Sequence, residues 1–383
     1  MQTHPLAAGR TGTALRRAVR FAALTLALLL CLFFASCEKE VETSAPVAPD
    51  QVITDDGQTS APEPVPAPVN PLTGLRERAD YLPARPIAVM INNLKKATPP
   101  RGLSQYDGAI EVLAEGDIDR IIAIFYDYAS IPELGSVRSA RDYYLKLVRP
   151  LDPIILHYGG SDAAYIYIKK NKLDTLNGME GEVDELLYWR DKQRIKQAGY
   201  EHSVFTSGEK IAHTIETLSR RTETEKTQPF FLFAPEGEVI PAGSLGGEKI
   251  TVPFSSYIEP VFVYDAERGC YLRSQYGAPH VDEKNGEQIT ADNLFVLFAP
   301  HREVGDQAGH IEVTTTGSGK GLYFQGGTGR AVTWSRAGET DFFEFADEAG
   351  EPLAVQRGKV WLGLVKPAAE VRYEGGVQEE SQE

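Results

Sequence analysis

A chain of 383 residues exceeds what one core usually fills, which predicts two domains with flanking segments. Its apolar share of 42% is that of a globular protein, and its formal charge is −15. So acidic a chain lacks the basic footprint of general nucleic-acid binding and is not drawn to an anionic membrane surface.

The first 36 residues hold Arg10, Arg16, Arg17 and Arg20 and no acid, so the formal charge without them is −19. "RTGTALRRAVR" reads as the positive region of a secretory signal. "FAALTLALLLCLFFA" (21–35) is an uncharged apolar run of 15 residues, right for a signal core and short for a membrane span. Ala35 and Ser36 precede Cys37, a pattern that resembles a bacterial lipobox, with Phe34 where Leu is usual. The expectation is a signal peptide over 1–36 and lipidation at Cys37. The lipid would anchor an extracytoplasmic protein to a bacterial membrane. Cys31 then leaves with the signal and Cys37 carries lipid, so Cys270 stands alone and no intramolecular disulfide forms. Cys270, in "RGCYLRS", reads as a small buried hydrophobe in a strand.

Residues 37–70 read as a disordered, lipid-anchored tether, since 38–70 contain six prolines and no aromatic residue. Fully extended it would reach roughly 100 Å. Folded sequence begins near "NPLTGL". An α/β or α+β N-terminal domain is expected over 71–247. Its strands are "RPIAVMINN" (85–93), "YDGAIEVLAEG" (106–116), "DRIIAIFYDYA" (119–129) and "PIILHYGGS" (153–161). Its helices are "ARDYYLKLV" (140–148), "DAAYIYIKKNK" (162–172) and "SGEKIAHTIETLSRR" (207–221), the last with Ile211, Ile215 and Leu218 on one face. Beyond 248, short apolar runs broken by Gly and Asp predict a mostly-β C-terminal domain to 368, including two strands around a turn at Asp265–Gly269. An acidic disordered tail is expected over 369–383.

The densest chemistry lies in "PELGSVRSARDYYLKL" (132–147), where Arg138, Ser139, Arg141 and Asp142 fall within five positions. Two guanidiniums at a helix start can hold a phosphate or carboxylate. Equally, Ser139 to Asp142 fits a capping box in which Asp142 neutralises one arginine. "LLYWRDKQRIKQAGYEHS" adds Arg190, Arg194 and His202, either a converging anion site or a solvated helix face. Asp107, Glu111, Glu115, Asp117 and Asp119 give five acids in 13 residues, three of them (107, 111, 115) in phase along a strand. Such oxygens suit Mg²⁺ or pair with arginines; Asp117 and Asp119 are the weak metal candidates. "LHYGGSDAAY" sets His157 beside a Gly-Gly turn, with Ser161 or Asp162 as N-cap; no Ser-His-Asp triad is supported. His280 and Asp282 predict a hydrogen bond between the domains. "GSGKG" (317–321) lacks phosphate-loop spacing and is flanked by strands.

Taken together, "NPLTGL", "RPIAVMINN", "RGLSQYDGAIEVLAEGDIDRIIAIF", "GSVRSARDYY", "HYGGSDAAY", "YDAERGCYLRSQYGAPHVD" and "TWSRAGETDFFEF" resemble the YerB-type bacterial lipoproteins, in order from about 70 to 366. The resemblance implies two domains of unknown function in an exported, lipid-anchored protein, and brings no reaction. The Arg-bearing loop followed by Gly-Gly and "LLYWRDKQR" is also similar to the LytR–CpsA–Psr phosphotransferases. That likeness implies Arg138, Arg141, Arg190 and Arg194 on a polyprenyl-linked pyrophosphate, with Asp117 or Asp119 on Mg²⁺. The extra Ser-Ala in "SVRSARD" departs from it. Three functions stay open: binding of an anionic wall or lipid-linked ligand or a partner protein at Arg138/Arg141, Mg²⁺-dependent phosphoryl transfer, and a scaffold for wall synthesis. The scaffold reading requires every arginine to be paired. No cofactor is established, and Asp107, Glu111, His157, Asp162 and His202 are the supporting polar candidates.

Overall fold

The apolar runs of the N-terminal region pair as one sheet, because each buries both faces. The computed structural model describes residues 68–77 and 84–375; the expected signal peptide, Cys37 and nearly all of the expected tether lie outside them. In the first region the strands are β1 (Ile87–Asn92), β2 (Gly108–Leu113), β3 (Asp119–Phe125), β4 (Leu134–Gly135), β5 (Ile154–His157), β6 (Thr175–Asn177), β7 (Trp189–Arg190) and β8 (Val204–Thr206). Then come β9 (Leu245–Gly246), β10 (Lys249–Thr251), β11 (Val261–Asp265), β12 (Cys270–Gln275), β13 (Ala278–Pro279) and β14 (Thr290–Ala291). The last are β15 (Asn293–Phe298), β16 (His301–Glu303), β17 (Ile311–Val313), β18 (Gly317–Gln325), β19 (Thr328–Arg336), β20 (Glu344–Ala346), β21 (Val360–Val365) and β22 (Arg372–Glu374).

A mixed α/β first region and a mostly-β second one are what the sequence predicts. Unforeseen is how they join. One large sheet runs β20-β19-β18-β15-β21-β2-β3-β1-β5-β6, with β9 on β19. Its middle is the parallel pairing of β2 with β21, Gly108 opposite Val360 through Val112 opposite Leu364. The two regions therefore share a core. One face packs the helices Asp142–Val148 and Asp162–Asn171 with Phe231, Phe295 and Trp334. The other packs a second sheet, β13-β12-β11-β10-β22, whose Ile250, Phe262 and Tyr271 meet Trp361 and Leu113.

Several local expectations change. The tail boundary falls too early: Arg372–Glu374 is an edge strand on β10, tied by Lys249 to Glu374 (3.1 Å) and Arg372 to Glu259 (3.2 Å). The Ser139–Asp142 capping box does not form. The helix begins at Asp142 with Arg141 at its N-cap and no side-chain cap, and Asp142 pairs with Lys146 (2.7 Å) instead. Ser161 does cap its helix, accepting from the N–H of Ala164, and Ser207 caps the helix that follows it, accepting from the N–H of Lys210. Asp282 does link the regions, accepting from both the N–H and the hydroxyl of Ser104. Among the described residues no helix is long and apolar enough to cross a membrane.

Candidate functional site

Strands β1, β5 and β6 are parallel neighbours, and their carboxyl ends carry Asn92, His157 and Asn177. Ligands of open α/β sheets bind outside such ends. Here the loop Val137–Ala140 enters between β1 and β5: the Arg138 N–H donates to the Met90 carbonyl, and the Tyr158 N–H donates to the Arg138 carbonyl. Ser139 turns its hydroxyl to the Tyr158 carbonyl (3.0 Å). Gly159 sits in the left-handed region (φ 82°), and a Cβ there would lie 3.1 Å from the Ser139 hydroxyl, so the turn needs glycine. Asn177 fixes it from below, its side-chain oxygen accepting from the N–H of Gly159 and of Met179, each at 3.1 Å.

The four candidate arginines divide into two kinds. Arg141 grips Glu115 with Nε (2.9 Å) and Nη2, and Arg120 adds a 3.2 Å contact to the same carboxylate. Burial would raise the Glu115 pKa, but the Arg141 hydrogen bond and the charge of Arg120 hold it at about 2. Arg194 is buried, donating to the carbonyls of Ala97 and Pro99 and to Glu283. Glu283 is also held by Arg101, which further binds Glu133 and Asp191. Arg141 and Arg194 are thus occupied by carboxylate partners.

Among the described residues no carboxylate makes a salt bridge with Arg138 or Arg190, although the charges of Glu201 and Glu115 act on Arg138. Arg138 donates once, to the Glu201 carbonyl (2.7 Å). Burial and the neighbouring Arg120 lower its pKa. Arg120 and Arg141 thus share Glu115, and with Arg138 acted on by Glu201 and Glu115 the three guanidiniums stand against two carboxylates, one positive charge in excess. Arg190 donates to the Tyr200 carbonyl (2.8 Å) and the Ser203 hydroxyl (3.3 Å) and lies 3.7 Å from the Tyr200 ring centre and 4.8 Å from that of Tyr158. Both guanidiniums therefore brace the turn Tyr200–His202. His202 is buried, with Nδ1 accepting from the Asn92 amide (2.8 Å); burial lowers its pKa, so the ring is neutral. His157 is also buried and neutral, its Nδ1–H donating to the Gly159 carbonyl while Nε2 has no partner.

The acids do not form a site. Asp107 takes the Tyr126 N–H and the Asn70 amide; burial raises its pKa to about 6. Glu111 is fully buried against Arg273 (2.7 Å) and accepts from Trp361 (2.9 Å). The Asn93 amide bridges Glu111 (3.1 Å) and Asp119 (2.8 Å), and burial beside Glu111 keeps Asp119 protonated well above the usual range. Asp117 instead lies in solvent, 3.8 Å from Lys366. Asp117 and Asp119 thus face different surroundings, and among the described residues no group of three His, Cys, Asp or Glu is placed to hold a metal. Asp162 is exposed on the first turn of its helix, with no ion pair among the described residues. Sequence reasoning missed Arg120, Arg101 and Arg273; the last was visible in principle, because Arg273 alternates in phase with buried Tyr271 and Gln275.

Other cavities lie elsewhere. A cleft of about 880 Å³ holds Arg85, Arg220 and Arg221, all tied to Asp152 or Asp174, and an apolar groove of about 640 Å³ runs past Phe230, Phe343 and Phe345.

Residues 72–221 match the N-terminal domain, and 250–362 the C-terminal domain, of a protein family of unknown function, DUF3048. The chain belongs to the DUF3048 family. It is similar to "Putative lipoprotein YerB" of Bacillus subtilis (strain 168), 31% identical over 297 residues, which are 77% of this chain and 85% of that protein. The crystal structure of YerB from Bacillus subtilis superposes with a TM-score of 0.69 at 30% identity, covering 79% of this chain and 99% of the other. The two DUF3048 domains of this chain are the two regions that meet at β2 and β21.

Proposed function

We propose that this DUF3048 protein is exported, lipidated at Cys37, and binds an anionic cell-envelope ligand at the carboxyl ends of β1, β5 and β6. The observation that carries the reading is the charge count around Arg138: three guanidiniums against two carboxylates, Glu115 and Glu201, and a neighbouring Arg190 with no ion pair among the described residues. A fixed guanidinium with free N–H groups is a preformed receptor for phosphate or carboxylate. Arg141 and Ser139 shape the loop, and Arg194 holds the layer beneath it. Phosphoryl transfer has less support, because two of its four arginines are occupied and Asp119 is sequestered with Glu111. A pure scaffold, which would pair every arginine there, has less support, because Arg138 and Arg190 are hydrogen-bonded to backbone carbonyls without an ion pair among the described residues.

Calorimetric titration with inorganic pyrophosphate tests the site. Heat of binding that disappears in Arg138→Ala plus Arg190→Ala, with the melting temperature kept, is the expected result; unchanged binding in that variant would sink the reading. Release of the chain from the membrane fraction by Cys37→Ser tests the anchor.

A further inference from the structure

The apolar groove beside β20 is walled by two segments far apart in sequence. Phe230 and Leu232 come from 222–249, between the two family domains, and Phe343, Phe345 and Leu353 from the hairpin that β20 begins. Backbone bonds fix both walls: the Leu353 N–H donates to the Phe345 carbonyl (2.9 Å), and the Val355 N–H to the Leu232 carbonyl (2.8 Å). Phe231 and Phe343 each stack on Phe345, with ring centres 6.2 and 6.1 Å from it. Leu232, which lines the groove, is 58% exposed, and apolar surface left in water beside such a groove marks a contact site.

Charge decides what covers it. Among the described residues lining the groove, Glu344 carries the single charge. The turn after it sets Asp347, Glu348 and Glu351 among the lining residues Ala346, Gly350 and Pro352. Neither 230–240 nor 341–353 contains a Lys or Arg, and these four acids have no salt bridge among the described residues. A second copy of so acidic a chain, or an anionic lipid surface, would bring like charges together.

We propose that the groove docks a partner protein through a basic, apolar segment. A large apolar side chain of that segment covers Leu232 and the phenylalanines, and flanking lysines or arginines meet Glu344, Glu348 and Glu351. The surface uses no residue of the Arg138 site.

Fluorescence anisotropy of labelled seven-residue peptides on the purified full-length chain tests this. One peptide has Leu-Phe-Leu at its centre and two lysines at each end. The second replaces the lysines by glutamates, and the third keeps the lysines around Ser-Ser-Ser. The first should bind at least ~ten-fold more tightly than either. Leu232→Ser should lower its affinity about ten-fold, Glu344→Lys plus Glu348→Lys should abolish the preference for lysines, and Arg138→Ala plus Arg190→Ala should change nothing. Equal binding of the two lysine peptides would mean attraction to the acidic chain as a whole; equal binding of the two Leu-Phe-Leu peptides would mean a groove blind to charge. Either overturns the proposal, as would no binding by any peptide. A dimer, seen by sedimentation, that Leu232→Ser dissolves would make a second copy the occupant and overturn it too.

Discussion

The carboxylate of Glu111 and the guanidinium of Arg273 lie 2.7 Å apart with no solvent exposure on either side chain. They join a strand of the first DUF3048 domain to a strand of the second, and Trp361 and Asn93 complete the shell of Glu111. Breaking a buried pair strands the surviving charge. Glu111→Gln or Arg273→Met should therefore cost about 3–5 kcal/mol in denaturant unfolding, and the double variant Glu111→Gln plus Arg273→Met should recover much of that loss. Equal losses in single and double variants would refute a coupled pair.

Asp107 gives the fold a pH dependence of definite sign. Its pKa rises from about 3.9 when unfolded to about 6 when folded. Its contribution is thus complete below pH ~4 and declines as pH rises towards 6. Asp107→Asn should flatten the stability profile over that window by on the order of 2 kcal/mol. A wild-type profile that climbs between pH 4 and 6, and keeps climbing in the variant, would contradict this assignment.

Glu115 titrates in the opposite sense. Held at about 2 by Arg141 and Arg120, it stabilises the fold above its unfolded value near 4.3 and loses that contribution as pH falls towards 2. Arg141→Ala should cost about 2 kcal/mol at pH 7 and shrink the acid-side loss. Arg138→Ala should cost less than Arg141→Ala, because losing its hydrogen bond to the Glu201 carbonyl is offset by removing a charge crowded by Arg120 and Arg141. Thermal melts of the two variants at pH 7 and pH 3 distinguish them.

Gly178 carries the site by its lack of a side chain. A Cβ there would stand 2.2 Å from the Tyr158 ring, the ring on which Arg190 rests. Gly178→Ala should displace Tyr158, cost about 1–3 kcal/mol, and weaken anion binding. Gly181→Ala, where a Cβ meets nothing within 4 Å, should leave both intact. Matched calorimetry and melting curves for the pair would show whether Tyr158 supports Arg190.

Much of the first region was legible because its strands are unbroken apolar runs bounded by Gly, Asp and Pro. The runs at 85–93 and 119–129 appear as Ile87–Asn92 and Asp119–Phe125, and the helix with Ile211 and Ile215 buried sits at Gly208–Thr217. Period-two reading failed for the acids. Asp107 and Glu115 fall outside β2 and turn to Asn70 and to Arg141, while Glu111 alone points into the layer. The separation of Arg138 from Arg141 was also illegible: spacing puts both on one face, but only the approach of Glu115 from the β2–β3 turn decides which is neutralised. No local pattern announces that residues 108–112 pair with 360–364.

That pairing orders the life of the polypeptide. β21 lies between β2 and β15 and is hydrogen-bonded to both, yet it is among the last strands to leave the ribosome. Until it arrives, the N-terminal half presents β2 as a raw edge, and the sheet cannot close. On the proposed export reading, a machine that threads unfolded chains would receive this sequence still open by construction, and completion of the sheet would wait for the far side of the membrane. A message truncated before Val360 would yield two half-sheets with facing open edges, which favours clearance or aggregation over a working fragment.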